Sequence, residues 1–142
     1  MVRRYKFEKF RPLPAYLSET GIIRKNFESG SVDLKIRTQT ETNNYYLKLV
    51  NHINDQETLA AFIRSGSTLS VHIPFGVYVL KYASGHNWYG LEYLFGTSAS
   101  YAKLPVLIHL TEMDNPSRGI NIDLIPRQHG KLAAEIISEF DF

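Results

Sequence analysis

Ile63-Arg-Ser-Gly-Ser-Thr-Leu-Ser-Val-His-Ile-Pro-Phe-Gly-Val-Tyr-Val-Leu-Lys-Tyr-Ala-Ser-Gly-His-Asn-Trp-Tyr-Gly-Leu-Glu-Tyr-Leu-Phe-Gly96 decides the architecture. Leu69, Val71 and Ile73 alternate with Ser70 and His72. Beyond Pro74-Phe75-Gly76, Val77, Val79 and Lys81 alternate with Tyr78, Leu80 and Tyr82. A period of two marks strands, whose successive side chains point to opposite faces. The two segments read as a hairpin turning at Pro74-Phe75-Gly76. The run after them sets six large apolar side chains, from Trp88 to Phe95, among closely spaced glycines.

Upstream, Val32, Leu34 and Ile36 alternate with Asp33, Lys35 and Arg37, the pattern of a strand with one wet face. Residues 45–50 and 58–64 read as a hairpin around the Asn- and Asp-rich turn 51–56. Residues 104–111 and 119–125 read as another, around Asp114-Asn115-Pro116. Residues 131–140 have a helix-favouring composition, Lys-Leu-Ala-Ala-Glu-Ile-Ile, but Gly130 and the preceding pattern place a final strand there. Together these predict an all-β protein: an antiparallel β-sandwich, Ig-like or prealbumin-like, of about 7–8 strands over residues 26–142. An extended arm over residues 1–25 precedes it, where Pro12 and Pro14 disfavour a helix.

A chain of 142 residues is enough for one real core, and a hydrophobic fraction of 44% with 21% charged residues is ordinary globular usage. Zero cysteines exclude disulfides, thiolate nucleophiles and Cys-based zinc sites. The start of the chain is basic but lacks the apolar stretch of a secretory signal, and no later segment reaches membrane-spanning length. A cytoplasmic protein is the expectation. The net charge of +2 is uneven: residues 1–25 hold seven cations against two acids, leaving net −3 on the remainder.

The segments Tyr-Leu-Lys-Leu-Val (46–50), Phe-Ile-Arg-Ser-Gly-Ser-Thr (62–68), Ile-Pro-Phe-Gly-Val-Tyr (73–78) and Lys-Tyr-Ala-Ser-Gly-His-Asn-Trp-Tyr-Gly-Leu-Glu-Tyr-Leu-Phe-Gly (81–96) resemble a small β-sandwich domain recurring in uncharacterised bacterial proteins. The resemblance covers residues 30–140, and the aromatic-glycine run is its most specific part. The domain often ends a longer chain carrying a membrane segment or zinc ribbon, and no function or catalytic residue comes with it. More loosely, the Pro-x-Gly-x-Tyr corner is similar to the last hairpin of prealbumin-like and PEGA-type sandwiches, used mostly as spacers or binders.

No motif marks chemistry. His52, His72, His86, His109 and His129 lie too far apart for the four-residue or two-residue spacing of a zinc pair. His72 and His109 oppose the apolar rows of their strands, which makes them solvent-facing. Gly-x-Ser-x-Gly is absent, and Gly85, Gly90 and Gly96 lack the Gly-Lys-Ser/Thr ending of a phosphate loop. The expectation is a protein without catalysis, cofactor or metal.

Two regions are candidates for contact with other molecules. His86, Trp88, Tyr89 and Tyr93 form either a stacking platform for carbohydrate or another flat ligand, or a plug at the open end of the sandwich. In the arm, Arg3, Arg4, Lys6, Phe7, Phe10 and Arg11 interleave cations with rings. They suit docking on the domain or a protein partner, and less well a nucleic-acid backbone, because the body is net acidic. Sandwich loops at 38–44, 84–90 and 111–118 are further recognition surfaces, and an exposed edge strand can pair with a second copy. Protein–protein contact through an adaptor, inhibitor or self-assembling module is the leading expectation.

Overall fold

The computed structural model describes residues 14–40, 43–111, 119–124 and 135–142. Among these run ten strands: β1 (Gly21–Lys25), β2 (Val32–Thr38), β3 (Asn44–Asn51), β4 (Glu57–Ile63), β5 (Thr68–Ile73), β6 (Gly76–Gly85), β7 (Ser100–Lys103), β8 (Ile108–Leu110), β9 (Ile120–Leu124) and β10 (Glu135–Ile136). They form two sheets. The large one has the order β1-β4-β3-β6-β7-β10, with β8 also on β6; the small one is β5-β2-β9. The protein is all-β and sandwich-like, as the alternation predicts, but it has more strands than expected. One pair, β2 with β9, is parallel.

The inward rows come straight from the period of two. Val32, Leu34 and Ile36 of β2, with Leu69, Val71 and Ile73 of β5, face Leu47 and Leu49 of β3, Leu59, Ala61 and Ile63 of β4, and Tyr78 and Leu80 of β6 in one continuous core. Burying a Leu or Ile completely contributes about 1.5–3 kcal/mol. On the outer side of β2, Arg37 lies opposite Asp123 of β9 and pairs with it through two hydrogen bonds, 2.7 and 3.2 Å. The hairpin from β3 to β4 forms as read. Its turn is held by Asn51 Oδ1, which accepts from the N–H groups of Ile53 and Asn54, and by Asn54 Oδ1, which accepts from Gln56 N–H.

Two expected hairpins are instead crossings between the sheets. β5 pairs with β2, whereas β6 pairs with β3 on one side and with β7 and β8 on the other. Both edges of β6 are therefore occupied, and none is left for β5. Pro74, which has no N–H for a ladder, begins the corner; the Tyr78 ring lies against Gly76 and its hydroxyl donates to Pro74 O at 2.8 Å. Burial raises the pKa of that phenol. Likewise β8 belongs to the large sheet and β9 to the small one, so in the expected pair 104–111 and 119–125 the described residues, 104–111 and 119–124, do not pair. Residues 112–118 lie outside the described residues.

β7 and β8 follow one another along the same edge of β6, separated at Pro105, whose ring interrupts the ladder. Of the predicted last strand, Glu135 and Ile136 pair with Lys103 and Ala102 of β7, and residues 131–134 lie outside the described residues. The end of the predicted arm belongs to the sheet: β1 pairs with β4 along its edge. Residues 15–20 are tied to the body by Arg64, whose guanidinium donates to Ser18 O and Leu17 O.

Candidate functional site

The outer face of the large sheet is where the sequence departs from simple alternation. At one end Ala60 of β4 and Ala83 of β6 are fully buried and small, which leaves a shallow floor. Phe62 and Tyr46 rise beside them, and the loop after β6 lays Trp88, Leu94 and Phe95 on top. The Trp88 ring centroid stands 4.8 Å from Phe62, 5.1 Å from Phe95 and 6.0 Å from Tyr46, in the inclined geometries aromatic rings prefer. A Cβ at Gly85 would come within 2.6 Å of Phe95 Cβ, so only glycine lets the loop settle this close. Leu94 adopts a left-handed φ of 52°, closing the loop through Leu94 N–H to Gly90 O and Tyr89 N–H to Leu94 O. Burial of its side chain offsets that backbone cost. Asn44 fixes the base of the loop, donating to His86 O and accepting from Ser65 N–H.

Next to this patch the registers align a row of charge. Arg24 stands opposite Ala60, Ala60 opposite Lys48, Lys48 opposite Lys81, Lys81 opposite Lys103, and Lys103 opposite Glu135. Like charges directly opposite one another destabilise a sheet, so the row needs acceptors. Arg24 finds them in Glu57, at 2.6 and 2.9 Å. That hydrogen-bonded carboxylate raises the Arg24 pKa, which fixes its charge. Tyr46, beside it, has its phenol pKa raised by burial, an effect Arg24 partly opposes.

The lysines are met by the closing segment, residues 137–142. Ile137 N–H donates to Tyr101 O, and the chain then turns back over the row. Lys81 Nζ donates to Asp141 O at 2.8 Å and Lys48 Nζ to Phe142 O at 3.0 Å. The Phe142 ring lies 6.0 Å from Tyr46, 5.4 Å from Tyr101 and 4.2 Å from Lys48 Nζ. The segment is itself organised as a capped turn. Ser138 Oγ accepts from Phe140 N–H and donates to Asp141 Oδ2, while the N–H groups of Asp141 and Phe142 donate to Ser138 O and Glu139 O. The last carbonyls of such a turn have no partner within it, and these are the two that Lys81 and Lys48 satisfy.

Open depressions flank the segment. One, about 370 Å³, lies between Leu91, Leu94 and Phe140 over a floor of Arg24, Tyr46 and Lys48. The other, about 430 Å³, is lined by Lys81, Lys103, Glu135, Ile136 and Asp141. Ile136 and Phe140 stand out into solvent beside them.

Of the residues the sequence singles out, Trp88 is only 4% exposed, and its ring is enclosed by Phe62, Phe95 and Tyr46. It packs on the outer sheet face, and not at the open end of the sandwich. Stacking needs a free ring face, and this indole offers none. Tyr89 and Tyr93 are half-buried and His86 is exposed. His72 and His109 face solvent, as their strand positions predict. Arg3, Arg4, Lys6, Phe7, Phe10, Arg11 and His129 lie outside the described residues. The cation row and Phe142 escape the sequence reading, because they meet only once the registers of β1, β3, β6 and β7 are known. The alternation at Lys48 and Lys81 is the one available signal.

Among the described residues no group of three or more His, Asp or Glu is placed to hold a metal ion, and no helix is long and apolar enough to cross a membrane. No protein-family model, curated protein or solved structure matches the chain.

Proposed function

We propose that this protein is a non-catalytic module acting through protein–protein contact, as an adaptor, inhibitor or self-assembling unit, with the outer face of the large sheet as its contact surface. One observation carries this reading: Lys48 and Lys81 hold a turn of peptide against the sheet by its main-chain oxygens. Charge, ring slots and open depressions meet there within one row of side chains. This is the mixture of aromatic anchors and cations that protein interfaces favour. The cysteine-free composition agrees with a reducing, cytoplasmic setting.

A photoreactive amino acid at position 136, where Ile136 is 86% exposed, tests the reading in cells of the source organism. Discrete protein adducts that disappear in the Lys81→Glu, Lys103→Glu double variant are the expected outcome. A chain that remains uncrosslinked, or adducts indifferent to the charge reversal, would remove the face from consideration. Adduct mass separates a second copy from another protein.

A further inference from the structure

We infer that Lys48, Lys81 and the slot between Tyr46 and Tyr101 form an exchangeable peptide site whose resident occupant is the chain's own Ser138–Phe142. Its external ligand is a segment of another protein with the same chemistry: a short turn capped by Ser, carrying an acidic side chain and ending on an aromatic ring. This rests on the proposal that the outer sheet face is the contact surface, and it specifies what that surface recognises.

Three observations point the same way. First, Lys81 donates to a carbonyl inside the turn, Asp141 O, and Lys48 to Phe142 O beside it, so recognition uses oxygens of the main chain and not of one particular side chain. Lys48 and Lys81 also face each other directly across β3 and β6, so an occupant bringing negative charge relieves a repulsion built into the sheet. Second, much of the resident segment lies at the surface. β10 contributes two residues to the ladder, and Ile136 and Phe140 are 86% and 77% exposed. Short, largely exposed segments open below the free energy of global unfolding. Third, the occupant is flanked on both sides by open space, so a longer ligand has room to extend past the turn. The capping contacts of Ser138 with Phe140 and Asp141 organise the turn before it meets the lysines. That lowers the ordering cost for any ligand built alike.

The resident segment hides the site from outside ligands in proportion to the time it is seated. Loosening it should therefore raise the apparent affinity for an added peptide. The probe is a fluorescent peptide of sequence Ser-Glu-Phe-Asp-Phe, followed by polarisation against the full 142-residue chain and variants whose folding is verified by circular dichroism. Phe142→Ala, which empties the ring slot, should bind the probe at least about tenfold more tightly than the unaltered chain. Ser138→Ala, which loosens the turn without touching the sheet, should give a smaller gain and serves if Phe142→Ala does not fold. Adding Lys48→Ala and Lys81→Ala to either should abolish binding.

Failure of both loosened variants to bind more tightly overturns the inference. So does equal binding of the scrambled peptide Phe-Ser-Asp-Glu-Phe or of a single-stranded oligonucleotide, either of which would make the row a general anion surface. A concentration-dependent dimer that ignores the probe would mean that two copies trade segments, and it too counts against a foreign ligand. If the probe fails while the crosslinks at position 136 persist, the contact surface stands and its assigned ligand falls.

Discussion

The two faces of the large sheet share their strands and differ in almost everything laid on them. The inner face is mostly aliphatic, with Tyr45, Tyr78 and Tyr82 buried among the branched side chains, and it forms one core with the small sheet. The outer face carries a compact aromatic cluster at one end and a line of cations beside it. A core needs only apolar volume on alternate residues, whereas the outer face combines glycine and alanine floors, rings and matched charges. The first arrangement is what any sandwich requires. The second goes beyond what a sandwich core requires, and the proposed contact surface is placed there.

The aromatic cluster should behave as a second core. Phe62→Ala on the outer face and Leu47→Ala on the inner face both remove fully buried side chains, and losses of about 3–5 and 2–5 kcal/mol are expected in denaturant melts. A loss under about 1 kcal/mol for Phe62→Ala would reduce the cluster to surface covering. Next in size, Gly85→Ala should cost about 1–3 kcal/mol by forcing Phe95 off the sheet. In the Phe95→Gly background, which removes the Cβ that the new methyl would meet, the same change should cost much less, a non-additivity that a double-mutant cycle reads directly.

A smaller effect follows from the tyrosines. Burial pushes the Tyr82 phenol up to about 12; Tyr45 adds to the shift. The unfolded phenol titrates near 10. The fold therefore favours the neutral form: this contribution is complete below pH 10 and is lost as the pH rises from 10 toward 12. Melts across that range should show declining stability, and Tyr82→Phe should flatten the decline. The exposed ion pairs come last. Arg24→Gln should cost less than about 1 kcal/mol, diminishing in high salt, and Arg37→Gln should leave the melting temperature unchanged.

Face assignment was legible in the sequence, and sheet assignment was not. Alternation groups Leu69, Val71 and Ile73 on one face and Tyr78 and Leu80 on one face, and both groups point inward. A two-residue turn and a crossing at Pro74-Phe75 would point the same side chains inward. The period reports which face a residue occupies and is silent on which sheet holds the strand. The turn at Asn51–Gln56 was readable because its Asn side chains bond locally to the backbone, so no distant partner was needed. Trp88 shows the opposite case. Its seat depends on Ala60 of β4 and Ala83 and Gly85 of β6 being brought onto one face across the intervening β3, and no local pattern announces that. The same holds for Lys48, Lys81 and Lys103, which only a register can line up.

β2 takes β9, nearly ninety positions later, as a parallel neighbour (Arg37 opposite Asp123). The small sheet is therefore complete only once Ile120–Leu124 have been made. Closing so large a loop late makes folding slow relative to a chain of hairpins. A nascent chain stalled before Ile120 would leave an edge of β2 unpaired and open to aggregation.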